Sequence, residues 1–189
     1  MVIISTDWIA RRRQRPRYKD RHPAVKAGCR FAFILCLLLS PQWLQAGARL
    51  TLTYQDLARQ SAERIVGEVS GWELDSSGQV TFIRFKSGGE PYTAFIDEVK
   101  GKTQLITYLL LLNGRGEVVD VDVLVYRESY GGEIDYPVFR KQFAGKSGTE
   151  PPVWNRNIRN ISGATISCRS ITAGVARLLK FNQLLLTTK

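Results

Sequence analysis

"QLITYLLLLNGRGEVVDVDVLVYRE", Gln104 to Glu128, is the stretch that decides the fold. Its first nine residues form a continuous apolar run of strand length, which suits a strand buried on both faces. Asn113-Gly114-Arg115-Gly116 then reads as a hairpin turn, where Asn and Gly supply the positive φ angles that such turns require. On the far side Val119, Val121, Val123 and Val125 alternate with Asp120 and Asp122, giving one apolar and one polar face. Two antiparallel strands therefore lie at the centre of the chain.

Working outward, Tyr54, Leu57, Ala58, Ala62 and Ile65 fall at helical spacing, so a short first helix is predicted over 54–66. "GWELDSSGQVTFIRFKSGG" reads as two strands around the turn Asp75-Ser76-Ser77-Gly78. From Glu128 to Asn160 there is little periodicity, apart from a short helix expected within "VFRKQFAG". Ordered loops of this length are uncommon and often functional. Beyond it Ile171, Val175, Leu178 and Leu179 mark one face of a C-terminal helix, with Asn182 on the same face one turn later. Gly174 counts as a weakness in that helix, costing about 1 kcal/mol relative to Ala. The predicted class is α+β: a small antiparallel sheet packed with helices, in one domain spanning residues 49–189.

The ends differ in charge. The chain carries a net +10, with 44% apolar and 23% charged residues, ordinary proportions for a globular protein. Residues 1–46 hold nine Lys/Arg against two Asp, and the remainder hold eighteen against fifteen Asp/Glu. The excess sits in the leader rather than on the folded body, which argues against nucleic acid as a partner. The leader follows the order of an export signal: a basic segment, an apolar core from Phe31 to Leu39, a break at Ser40-Pro41, and the small residues of "LQAGA". Residues 1–48 are therefore expected to be an export signal cleaved after Ala46 or Ala48, or an uncleaved N-terminal membrane anchor. Either places the body in the periplasm or on the extracytoplasmic side of the inner membrane of a bacterium.

Cys29, Cys36 and the sole histidine, His22, lie in that leader, so residues 49–189 retain Cys168 and no histidine. This excludes an internal disulfide, a Cys/His zinc cluster, a C-x-x-C-H haem site and a histidine-dependent triad within the body. No metal site and no catalytic residue is assigned. A hydrolase using Thr165 or Ser162 as nucleophile lacks both a histidine and a nucleophile-elbow sequence. Cys168 falls in the first turn of the C-terminal helix, where thiol pKa values tend to drop, and a packed small residue is the competing reading.

The entry to that helix, "NISGATISCRS" from Asn160 to Ser170, concentrates small and hydroxyl residues. Two readings stand on spacing alone. Ser162 or Thr165 caps the helix. Alternatively a phosphate rests on the unpaired backbone N–H groups, with Gly163 and Ala164 keeping side-chain bulk away.

"SGATIS" resembles the Ser/Thr-Gly-Ala-Thr-x-Ser/Thr motif of the FMN-binding domain family. That domain occurs in the flavin subunits of the Rnf electron-transport complex and of the sodium-translocating NADH:quinone reductase. The resemblance covers roughly residues 100–182. It implies FMN as cofactor, joined through a phosphoester to Thr165 by a flavin transferase, with Ser162, Gly163, Ala164 and Ser167 around the phosphate. Glu128 with Gly131 is similar to the family's Glu-Thr-Pro-Gly segment, although Ser129 and Tyr130 replace Thr and Pro. Glu128 is thus expected to contact the flavin or to order the loop. Tyr126, Tyr130, Tyr136 and Trp154 are candidates to stack on the flavin ring. In one respect the chain departs from the family: Arg159 occupies the slot, three before Ser162, where the motif usually has an acid. The implied function is an exported electron carrier relaying electrons between a membrane redox partner and a downstream acceptor. With no second cofactor motif, it is expected to be a redox subunit rather than a complete reductase. The alternative, favoured by Arg159, is a flavin-free accessory module that keeps the fold.

Overall fold

The structure, a computed structural model, describes residues 42–78 and 80–187. Most of the leader reading therefore lies outside the described residues. Helix α1 spans Gln42–Val66, starting twelve residues before the predicted helix, so its backbone runs through the Ala46–Ala48 segment read as a cleavage site. Among the described residues no helix is long and apolar enough to cross a membrane.

Five strands follow: β1 (Ser70–Ser77), β2 (Val80–Ser87), β3 (Glu90–Lys100), β4 (Leu105–Asn113) and β5 (Val118–Tyr126). They pair in sequence order as an antiparallel meander. The sheet with its helices gives the α+β class read from the sequence. β3 is the element that the sequence reading passed over. Its signal is the dipeptide Gly88-Gly89, with both φ values positive (57° and 85°) and Ser87 paired with Glu90. That is the geometry of a two-residue hairpin, which matches the twist of the strands it joins. The β1–β2 reversal lies later than predicted, since Asp75, Ser76 and Ser77 all pair within the ladder and Gly78 takes the positive φ. In the β4–β5 turn the positive φ belongs to Gly116. Asn113 contributes its side chain, whose Oδ1 accepts from the N–H groups of Arg115 (2.9 Å) and Glu117 (3.1 Å).

The sheet is buried on both faces, and β4 carries the division. Ile106, Tyr108, Leu110 and Leu112 point to one side; Leu109 and Leu111 point to the other. The second face is covered by α1 through Ala58 and Ala62, small residues that let the helix lie close to Ile83, Phe85, Ala94 and Ile96. Leu57, placed on that stripe by the sequence reading, is exposed instead. The first face is covered by the C-terminal helix α3 (Thr165–Thr187) and by the long loop. This loop holds a 3-10 turn at Gly132–Asp135 and the one-turn α2 (Pro137–Arg140), close to the short helix expected.

Two departures from simple periodicity shape the packing. β5 is bulged, with register shifts opposite Leu111/Leu112 and Thr107/Tyr108. Val119 and Leu124 are thereby turned toward the α1 face, while Val121 and Val123 pack with α3. The aspartates are also not a solvated polar face. Asp122 is buried, accepts from the Ser61 hydroxyl (2.5 Å) and pairs with Arg64 of α1 and with Arg140 of α2 (2.5 Å to the latter). Arg140 also meets Asp120, and Asp135 at 3.3 Å. An ion network thus ties α1, the edge strand and the site loop together. In α3, Gly174 proves to be a packing requirement. A Cβ there would strike the Tyr108 hydroxyl and approach Val99 Cγ1 to 2.8 Å. Tyr108 donates to Asp97 (2.7 Å), which also pairs with Arg177 of α3 (2.6 Å). Burial, first, and the Asp97 charge hold the Tyr108 pKa well above the usual phenol value. The apolar stripe of α3 continues past Asn182, with Leu185 packed against the same core.

Candidate functional site

The helix entry places Thr165 inside the helix rather than at its cap. The Ala164 N–H donates to the Ile161 carbonyl (3.1 Å), and the first i→i−4 bond of α3 runs from the Cys168 N–H to the Ala164 carbonyl (2.8 Å). Thr165 is therefore the first helical residue, and the N–H groups of Thr165, Ile166 and Ser167 precede the helix's own bonding. Thr165 is exposed. Its Oγ1 accepts a hydrogen bond from the Asn160 side-chain amide (2.9 Å) rather than from a backbone N–H. The acceptor of that bond keeps its own O–H free to point outward.

The neighbours in the motif divide by role. Ala164 and Ser167 are buried: the Ala164 methyl is part of the core, and the Ser167 Oγ lies 3.4 Å from the Tyr126 hydroxyl. Ser162 and Gly163 are exposed beside Thr165. Gly163 has φ of 89°, a conformation that favours glycine, and an added Cβ there would meet only the Glu133 carboxylate, at 3.7–4.0 Å. Gly163 also forms one wall of a cavity of about 550 Å³, whose other walls are Ser129, Tyr130, Gly131, Gly132, Glu133 and Tyr136. The loop after β5 and Gly163, two residues before the exposed Thr165, thus border an open cleft.

Tyr126 holds that loop in place. Its hydroxyl donates to the Tyr130 carbonyl (2.5 Å) and sits against Gly131, where an added Cβ would come within 2.7 Å of it. Burial is the main cause that raises its pKa. This makes Tyr126 a wall support rather than a stacking ring. Tyr130 and Tyr136 line the cavity and are 88% and 46% exposed, and the Tyr130 ring is open to a ligand. Trp154 stands apart from the cavity lining, with the Arg169 guanidinium 5.6 Å from its ring centre.

Glu128 lies elsewhere. Its Oε1 accepts from the N–H groups of Thr103 (2.6 Å) and Gln104 (2.9 Å), and its Oε2 from the Thr103 hydroxyl (2.6 Å). Those bonds, the Thr103 hydroxyl first, hold its carboxyl down to a pKa of about 2. Both oxygens are thus committed to ordering the β3–β4 turn, and Glu128 is not among the cavity walls. Arg159 is exposed; its backbone N–H and carbonyl are bracketed by the Gln142 amide at 2.6 and 3.3 Å. Cys168 is fully buried, and that burial raises its thiol pKa, so it is a packing residue.

Sequence reasoning missed two members of this site. Asn160 was passed over as a neighbour of Arg159, and its part shows only when the chain folds back on Thr165. Glu133 carries no sequence signal beyond its position in an aperiodic loop, yet its Oε2 is buried with no hydrogen-bond partner among the described residues. An exposed threonine hydroxyl, anion-ready N–H groups, a glycine-walled cavity with flanking tyrosines and an unsatisfied acceptor together fit a phosphorylated ligand with polar and aromatic parts.

Comparison with known proteins agrees. The chain has no match among curated proteins. Residues 101–180, from the β3–β4 turn through most of α3, match a family model described as "FMN-binding domain". Over these residues the chain matches an FMN-binding domain, which marks the protein as a flavin-binding one with FMN as its cofactor.

Proposed function

We propose that this protein is an exported electron carrier in which FMN is joined by a phosphoester to Thr165. The observation that carries the reading is the placement of the Thr165 hydroxyl: exposed, at the first position of α3, beside the cavity that Gly163 walls. Esterification by the transferase joins Thr165 Oγ1 to the phosphorus of an activated flavin nucleotide donor; the donor's phosphoanhydride P–O bond breaks, its nucleoside monophosphate leaves, and the hydroxyl proton passes to an external base. Asn160 holds Oγ1 in the orientation that leaves the proton accessible to an external base. The N–H groups of Thr165, Ile166 and Ser167, with the positive end of the helix, stabilise the remaining negative charge of the diester. Tyr130 and Tyr136 offer faces for the ring and limit water around it. The flavin, when bound, supplies the acceptance and release of electrons; the protein supplies position and electrostatics.

A covalent link suits a protein working outside the cytoplasm, where free FMN is dilute. It makes occupancy intramolecular, with an effective concentration on the order of millimolar. The leader's basic–apolar–small order supports export, and a flavin transferase and a membrane redox partner follow from the reading. The test is protein purified from its own host, denatured and precipitated, then examined by absorbance and intact-protein mass. Yellow pellet and an FMN-sized increment on the peptide containing Thr165 support the proposal. A colourless pellet from protein co-produced with an active transferase returns the accessory-module reading. A reporter fused after Ala48 should be active only outside the cytoplasm; activity confined to the cytoplasm refutes export.

A further inference from the structure

We propose that Glu133 is a cofactor-binding residue that fixes which part of FMN enters the cavity, accepting a hydrogen bond from a neutral donor of the flavin. The inference rests on the reading that FMN occupies the cavity beside Thr165.

Three observations converge. Glu133 Oε2 is buried and unpartnered among the described residues, although buried carboxylate oxygens are nearly always satisfied. The carboxylate lies at the cavity wall facing Gly163, whose missing side chain would have rested against it at 3.7–4.0 Å. Two donors of the neighbouring elements are engaged elsewhere. Arg140 is committed to Asp120, Asp122 and Asp135, and the Tyr126 hydroxyl donates to the Tyr130 carbonyl.

An ionised carboxylate accepts only, so its natural complement is a ligand O–H or N–H. The same charge repels a second anion. The site is thus polarised: N–H groups at the start of α3 suit the phosphate, and Glu133 suits a neutral donor deeper in. FMN carries such donors in its ribityl hydroxyls and in the imide N–H of its ring. An anionic ligand without a donor at that distance from its phosphate would leave Glu133 unsatisfied and meet its charge.

The test compares the full-length wild type and Glu133→Gln, both loaded by co-expression with a flavin transferase. Two quantities are read: the midpoint potential of the bound flavin and its local mobility by time-resolved fluorescence anisotropy. Glutamine keeps the shape and removes the charge. If the donor is the ring imide, the variant's potential rises, because a negative charge beside the ring is lost. If it is a ribityl hydroxyl, the potential stays and the flavin depolarises faster. Wild-type flavin present with both quantities unchanged in the variant overturns this inference and leaves the Thr165 reading standing. A wild type carrying no flavin overturns both. A measurement on the wild type alone guards against a misfolded variant. The side-chain carboxyl 13C resonance of Glu133 should shift between flavin-free and flavin-loaded protein, and an unmoved resonance also overturns the assignment.

Discussion

Thr165→Val separates attachment from folding, and the structure sets the size of both effects. The hydroxyl is exposed and takes part in one hydrogen bond, from Asn160 at 2.9 Å. A bond between groups that water can serve equally well contributes at the low end of the usual range, about 0.5 kcal/mol. Valine keeps the shape, and no buried partner is left unsatisfied. For a domain of this size each kcal/mol moves Tm by roughly 2–4 °C, so the variant should melt within about 2 °C of flavin-free wild type. Covalent loading, in contrast, should vanish, because no oxygen remains to form the ester. Thr165→Ser should also lose its label if the transferase requires threonine, as the family resemblance implies. The assay is intact-protein mass spectrometry after co-expression with a transferase, alongside thermal unfolding of the unlabelled forms. An FMN-sized increment that survives in the valine variant refutes Thr165 as the attachment point. A loss of more than about 3 kcal/mol, the scale of a core truncation, refutes the open position assigned to this side chain.

Three further outcomes follow from the packing. Arg140→Ala should destabilise by about 2–3 kcal/mol in urea unfolding, short of the roughly 3–5 expected for stripping a buried charge of its sole partner, because Asp122 keeps Arg64 and Ser61. Gly174→Ala should lower Tm despite the roughly 1 kcal/mol gained in helix propensity, since overpacking against Tyr108 and Val99 costs about 1–3 kcal/mol; a raised Tm would refute the close seat of α3. Glu128 has a folded pKa of about 2, below the ordinary carboxylate value of 4.5, so its contribution is complete above about 4.5 and lost as pH falls toward 2. The protection of the Thr103 and Gln104 amides, as exchange relative to the intrinsic rate at each pH, should therefore fall over that interval in wild type, and in Glu128→Gln should already be low at neutral pH.

The sequence made the central hairpin and the C-terminal helix legible because each has a clean period: an unbroken apolar run in β4, and Ile171, Val175, Leu178 and Leu179 at helical spacing. β3 escaped because Pro91, Asp97 and Glu98 interrupt its apolar residues, which alternate between two cores rather than facing one. Asp120 and Asp122 looked solvated because their partners, Arg64 and Arg140, lie far off in the chain. The motif identified Thr165 and its glycine. It gave no hint of Asn160 and Glu133, whose roles depend on how the loop after β5 folds back on the start of α3. Glu128 shows the converse: a residue singled out by likeness spends its carboxylate on the β3–β4 turn.

The division of the sheet into two cores also sets a sequence in time. One core closes from α1 and the strands, all complete by Tyr126. The other needs α3, which leaves the ribosome only after every strand. Until that helix docks, the cavity lacks its Gly163 wall and Thr165 lacks its setting. A half-emerged chain can therefore shelter most of its strands while the setting of Thr165 is still incomplete. With the proposed attachment at Thr165, labelling would be reserved for molecules whose folding has finished.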